Sequence, residues 1–132
     1  MQLQNMDAPI ISVITVCYNV ASTIEKTMLS VLNQTYKNLE YIIIDGNSTD
    51  GTVDIIKKYA ERLTFWISEP DKGIYDAMNK GVTLSKGKWI WFINSDDYIN
   101  DGLVKTILTA VKTYPDAGCI YGNMEYVRII NG

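Results

Sequence analysis

The sequence predicts an α/β domain built on a mostly parallel sheet flanked by helices. Three observations predict it. Short β-branched and aromatic runs alternate with amphipathic stripes in the order β-α-β-α-β-α-β-α-β. The linkers are short, and short right-handed crossovers between successive strands make those strands parallel. Acidic and amide residues gather directly after the strands, the edge at which open parallel sheets bind ligands.

Each element has its own signal. Ile10 to Val16 is a nearly continuous apolar run, the mark of a strand buried on both faces. A helix follows, with Ser22 and Glu25 at capping-box spacing and Ile24, Met28, Val31 and Leu32 on one stripe. Leu39 to Ile44 is a second buried strand ending on Asp45. Gly46-Asn47-Ser48-Thr49-Asp50-Gly51 is turn and cap chemistry, and a helix over 52–61 follows it. Leu63 to Ile67 is a short third strand, and Ser68-Glu69-Pro70-Asp71-Lys72-Gly73 a polar loop. Ile74, Ala77, Met78, Gly81 and Val82 repeat at helical spacing. Lys88 to Ile93 is a fourth strand, closed by Asn94-Ser95-Asp96-Asp97. Leu103, Ile107, Ala110, Val111 and Tyr114 mark a fourth helix, which Pro115 stops, and a fifth strand is predicted from Cys119 to Val127.

Composition narrows the function. With 132 residues, 47% hydrophobic and 20% charged, residues 1–132 read as a single domain with one core. A net charge of -3 offers no field for nucleic acid. There is no histidine, so any metal site must use oxygen ligands or thiolate, and any general base must be a carboxylate or lie outside this stretch. Cys17 and Cys119 are too few for a disulfide framework and, lying in apolar runs that read as strands, are expected to be buried free thiols. The start of the chain is neither basic nor apolar enough for a signal peptide, and no run reaches the roughly 18 apolar residues of a membrane span. The expected location is cytoplasmic, with any membrane association left to residues outside this stretch.

The strand ends carry the chemistry. Tyr18 and Asn19 follow strand one, Asp45 strand two, Glu69 and Asp71 strand three, and Asn94, Asp96 and Asp97 strand four. Carboxylates converging on one edge repel one another unless a cation or a donor-rich ligand lies among them. That suggests a divalent cation with a phosphate ligand, and oxygen donors suit Mg²⁺ or Mn²⁺. Taken singly, each residue has a plainer reading. Asp45 alone is a turn former, Asp96-Asp97 a solvated turn, Trp89 and Trp91 sheet-face packing, and Lys72 and Lys88 surface charge. Asp45 to Asp50 fails as a calcium loop, because its glycine is one place late and no acidic residue closes it.

Four segments in order resemble the family 2 glycosyltransferases of GT-A fold. They are Ile11 to Asn19; Ser30 to Tyr36 with Glu40 and Ile43 to Thr52; Asp71 to Gly81; and Phe92 to Asp97. The resemblance covers nearly the whole chain. It implies a GT-A, Rossmann-like sheet and a nucleotide-sugar donor. Thr15, Tyr18, Asn19 and Asp45 would hold the base and ribose, with Asp45 accepting the imide N–H of a uracil. Asp71, Lys72, Asp76 and Asn79 would lie beside the phosphates and sugar. Asp96, with Asp97 beside it, would bind Mn²⁺ or Mg²⁺, and Asn94 and Ser95 would keep nucleotide contacts. Asn94 stands where the family usually has Asp, which shifts the metal's charge partner to Asp96.

The resemblance also implies an acceptor-binding half and a catalytic base beyond Gly132. The acceptor, a sugar or lipid-linked hydroxyl, is not legible. Glu125 is the acidic candidate after the metal motif, and it reads as an edge-strand residue. This stretch alone is therefore expected to bind donor without transferring, and to self-associate through an unpaired arm at 121–130. The usual setting of such enzymes is assembly of cell-surface polysaccharide or glycolipid. A nucleotide-sugar-binding module without transfer is the alternative. A sugar-1-phosphate nucleotidyltransferase would need a glycine-rich basic loop after strand one, and Asn19-Val20-Ala21-Ser22 has none. A phospho-acceptor domain would need an acidic pair there, and Cys17-Tyr18-Asn19 has none.

Overall fold

The computed structural model describes residues 11–125. Strands and helices alternate along them: β1 (Ile11–Cys17), α1 (Ile24–Leu32), β2 (Leu39–Asp45), α2 (Thr52–Lys58), β3 (Phe65–Ser68), α3 (Ile74–Leu84), β4 (Trp89–Phe92) and α4 (Leu103–Thr113). All strand pairings are parallel, and the sheet order is β3-β2-β1-β4. The chain winds outward from β1 through β2 to β3, then crosses back to the far side of β1. The winding therefore reverses between β1 and β4, the place where such sheets open a ligand crevice.

Both faces of the central strands β1 and β2 are covered, which explains their unbroken apolar runs, while Ile90 and Phe92 of the edge strand β4 stay exposed. On one face Ile11, Val13, Tyr41 and Ile43 pack with Ile24, Met28 and Val31 of α1, Ile56 of α2, and Val104 and Leu108 of α4. On the other, Ile14, Ile42 and Ile44 pack with Ala77 of α3. Trp89 and Trp91 lie against the larger cluster, as packing rather than as a sugar platform. α3 sits close to β1 because position 81 is glycine. A Cβ there would lie 2.5 Å from Ile14 Cγ2.

Three expectations are corrected. The capping box does not form: Thr23 is the N-cap of α1 and makes no side-chain cap bond. The amides of Thr23 and Ile24 are satisfied by Val20 O instead, and Glu25 accepts from Tyr59 Oη and from Lys58 Nζ at 3.0 Å. The second helix ends at Lys58, and a 3-10 turn, Ala60–Arg62, takes the rest. The fifth strand is absent from 119–125. An apolar run becomes a strand only where its backbone finds a partner edge. These residues pair with none of the four strands, Tyr121 is 94% exposed, and Cys119, expected to be buried like Cys17, is exposed for the same reason. Residues 126–130, the remainder of the expected arm, lie outside the described residues. Among the described residues no helix is long and apolar enough to cross a membrane.

Candidate functional site

Parallel pairing puts the carboxyl ends of β1 to β4 on one edge, and the loops there are laced together. Asn19, in a left-handed conformation at φ 51°, donates its amide to Ser48 Oγ at 2.8 Å and accepts from the Thr49 amide at 2.9 Å through Oδ1. Val20 N donates to Thr52 Oγ1 at 2.9 Å, and Ala21 N to Asp50 Oδ2 at 3.0 Å. Thr52 in turn donates its amide and hydroxyl to Asp50 Oδ1. These bonds, the Thr52 hydroxyl first, hold the Asp50 carboxyl below its usual range.

Two of the residues expected at the nucleotide, Thr15 and Asp45, are buried and hydrogen-bonded within the protein. Thr15 is fully buried, and its hydroxyl bonds Tyr41 Oη at 2.9 Å. Asp45 is 0% exposed. Its oxygens receive the Ser48 amide at 2.9 Å, the Ser48 hydroxyl at 2.5 Å, the Ser68 hydroxyl at 2.7 Å and the Cys17 thiol at 3.4 Å. Both carboxylate oxygens thus have partners within the protein. Asp45 ties the ends of β1, β2 and β3 to the 46–51 loop. Burial, then the Asp45 charge, pushes the Cys17 thiol far up, so it stays protonated.

The other predicted residues face outward. Tyr18 is 64% exposed directly after β1, and Tyr75, in the first turn of α3, is 78% exposed. Asp71 accepts the Gly73 amide at 2.9 Å, and its Oδ2 lies 2.8 Å from where a Cβ on residue 46 would be, so Gly46 is what leaves room for it. Asp76 accepts the Lys72 amide at 3.0 Å. Lys80 joins the loop to α3, 3.0 Å from Glu69 and 3.8 Å from Asp76, and the Glu69 bond raises its pKa. Asn79 and the Lys72 side chain are exposed.

Across β1, Asn94, Asp96 and Asp97 are exposed and Ser95 is partly so. A turn bond from Asp97 N to Asn94 O, 3.0 Å, folds this segment. Among the described residues no three His, Cys, Asp or Glu side chains gather closely enough to hold a metal ion by themselves. Asp96 and Asp97 therefore form an incomplete, oxygen-only donor set. That fits a hard cation that keeps waters and takes the rest of its ligands from substrate phosphates.

Sequence reasoning passed over Thr27, Ser30 and Gln34 of the α1 region, which bond the backbone of the acidic segment. Their signal was faint, polar residues spaced by three and four opposite the apolar stripe. It also passed over Ser68 and Lys80, whose partners lie far away in the chain. A separate groove of about 490 Å³ lies at the opposite, amino-terminal edge, lined by Lys37, Glu40, Phe65 and Lys86 among others. None of the predicted site residues lines it.

Known proteins share this pattern. The family model described as Glycosyl transferase family 2 matches residues 12–129. A PGL/p-HBAD biosynthesis glycosyltransferase of Mycobacterium bovis is 35% identical over 125 residues, 90% of this chain and 48% of that protein. Glycosyltransferase GlyA of Streptococcus pneumoniae is 32% identical over 106 residues, 79% of this chain and 15% of that protein. Among solved structures, S. aureus TarS 1-349 in complex with UDP-GlcNAc superposes with a TM-score of 0.74 at 26% identity, covering 80% of this chain and 32% of that one. The mannosyltransferase PcManGT from Pyrobaculum calidifontis, in complex with GDP-Man and Mn²⁺, gives 0.70 at 28%, covering 83% and 33%. The chain thus spans about half the length of the M. bovis relative and a third of these two structures. The α/β sheet with its flanking helices is the GT-A architecture of those neighbours, and the chain belongs to glycosyl transferase family 2.

Proposed function

We propose that this chain is the donor-binding part of an inverting glycosyltransferase, which moves a sugar from a UDP-sugar to an acceptor hydroxyl. The observation that carries the reading is the placement of Asn94 to Asp97 at the carboxyl edge, where the sheet reverses its winding beside β1. Structural neighbours holding UDP-GlcNAc and GDP-Man with Mn²⁺ support a nucleoside-diphosphate-sugar donor.

In this reading the exposed Tyr18 ring packs on the base, and Asn19 fixes the loop beside it. Asp71, Lys72, Asp76 and Asn79 border the phosphates and sugar, with Lys72 the cation there. Asp96, assisted by Asp97, holds Mn²⁺ or Mg²⁺ with the diphosphate. When bound, that ion supplies Lewis-acid stabilisation of the departing nucleoside diphosphate. Asn94, an uncharged amide, keeps a hydrogen bond to ribose or water. Deprotonation of the acceptor is assigned to a carboxylate outside the described residues. Glu125, the last described residue, is exposed and in no strand. The setting proposed is cell-surface polysaccharide or glycolipid assembly.

The test is calorimetry with UDP and Mn²⁺. Asp96→Ala is expected to abolish the Mn²⁺-dependent part of UDP affinity, and unchanged affinity would defeat the reading. Asn94→Asp is expected to leave Mn²⁺ affinity equal or tighter. GDP preferred over UDP would reassign the base. A second reading, donor binding without transfer, is favoured for this stretch alone because it spans only about half of the M. bovis relative. A transferase assay on pooled acceptors separates the two, since turnover by this chain would exclude the second.

A further inference from the structure

The acidic segment has no regular structure of its own between β4 and α4, yet one neighbour holds its backbone at several points. Thr27, Ser30 and Gln34 recur at spacings of three and four, so they share one side of α1 and its extension. Thr27 is almost wholly buried, and its hydroxyl faces two carbonyls, Ser95 O at 3.0 Å and Asp97 O. Those carbonyls flank Asp96. Ser30 Oγ accepts the Ile99 amide at 3.2 Å. Gln34, only 2% exposed, donates to Asn100 O at 3.0 Å and accepts the Val104 amide of α4 at 3.3 Å. Lys26 adds an ammonium 3.9 Å from the centre of the Tyr98 ring. The last sheet-type bond before this segment is Ile93 N to Ile14 O at 3.0 Å. Beyond it, α1 rather than the sheet sets the path of the chain.

We infer that α1 is the positioning element of the cation-diphosphate site. Thr27 clasps the peptide groups on either side of Asp96 and aims that carboxylate. Ser30 and Gln34 hold the rest of the segment against the start of α4. A hydroxyl matters at 27 because its single proton, given to one carbonyl or shared between the two, is the donor that draws them together. A buried amide is needed at 34 because it must give to a carbonyl and accept from an amide at once. This rests on the reading of Asp96 as the cation ligand.

The experiment measures UDP affinity of the 132-residue chain by calorimetry, without Mn²⁺ and across a Mn²⁺ series. Thr27→Val keeps the volume and removes the hydroxyl; Thr27→Ser keeps the hydroxyl. Groups that orient a metal's ligands typically cost about 10-fold or more in metal affinity when removed. Thr27→Val is therefore expected to raise the half-saturating Mn²⁺ concentration about 10-fold, with metal-free UDP affinity unchanged and Thr27→Ser restoring wild-type behaviour. An unchanged Mn²⁺ requirement, or an equal loss with and without Mn²⁺, would overturn the inference. Circular dichroism checks the fold. Should Thr27→Val not fold, Ser30→Ala carries the same expectation and the same refutation. Asp96→Ala run in parallel separates the two levels. If it removes the Mn²⁺ response and Thr27→Val does not, only the positioning role fails; if it too leaves the response intact, the cation reading fails first.

Discussion

Asp45 shows what a residue's type discloses and what it leaves hidden. That these residues would gather at the carboxyl edge was legible, because Tyr18, Asn19, Asp71 and Asp96 follow strands and Asp45 ends one. That Asp45 faces inward was not, because its donors Ser68 and Cys17 come from other strands. The burial of Thr15 was hidden for the same reason, since its partner Tyr41 is 26 residues away. Asp45 now carries a different expectation from a base-reading residue. Asp45→Asn replaces an acceptor oxygen by an NH₂ that faces donors, leaving the Ser48 or Ser68 group unpaired. The cost should be about 1–3 kcal/mol of stability, read by urea denaturation. UDP and a base-free ligand such as pyrophosphate with Mn²⁺ should weaken equally. Selective loss of UDP would return Asp45 to the base.

At the scale of elements, periodicity did most of the work. Continuous apolar runs gave β1 and β2, and stripes at helical spacing gave α1, α3 and α4 close to their observed positions. The failures were at ends and edges. A local cap signal at Ser22 and Glu25 lost to a bond between Glu25 and Tyr59, in the turn after α2, and the run from Cys119 had no partner strand to make it a strand. Gly81 is an intermediate case. It lay on the predicted apolar stripe, but its reason, the approach of α3 to Ile14, is a tertiary fact. Gly81→Val would drive its side chain into Ile14. Overpacking of this kind costs about 1–3 kcal/mol. Denaturant unfolding should show that loss, with α-helical content by circular dichroism otherwise retained. A neutral result would mean α3 can slide away from β1 without loss.

Over the whole molecule, the account rests on an asymmetry between the two sheet edges. The carboxyl edge carries the exposed tyrosines, the Asp71 loop and the acidic turn, and it is an open surface. The amino edge carries the groove of about 490 Å³ beside Lys37, Glu40 and Lys86. Shape alone favours the groove; chemistry and winding favour the open edge. Two-dimensional NMR of the labelled chain decides between them. UDP should shift the amides of Tyr18, Asn19 and Gly46 to Ser48, and added Mn²⁺ should broaden Ser95 to Tyr98 by paramagnetic relaxation. Shifts and broadening centred on Lys37 to Glu40 and Lys86, with the carboxyl edge unmoved, would contradict the assignment of the donor site.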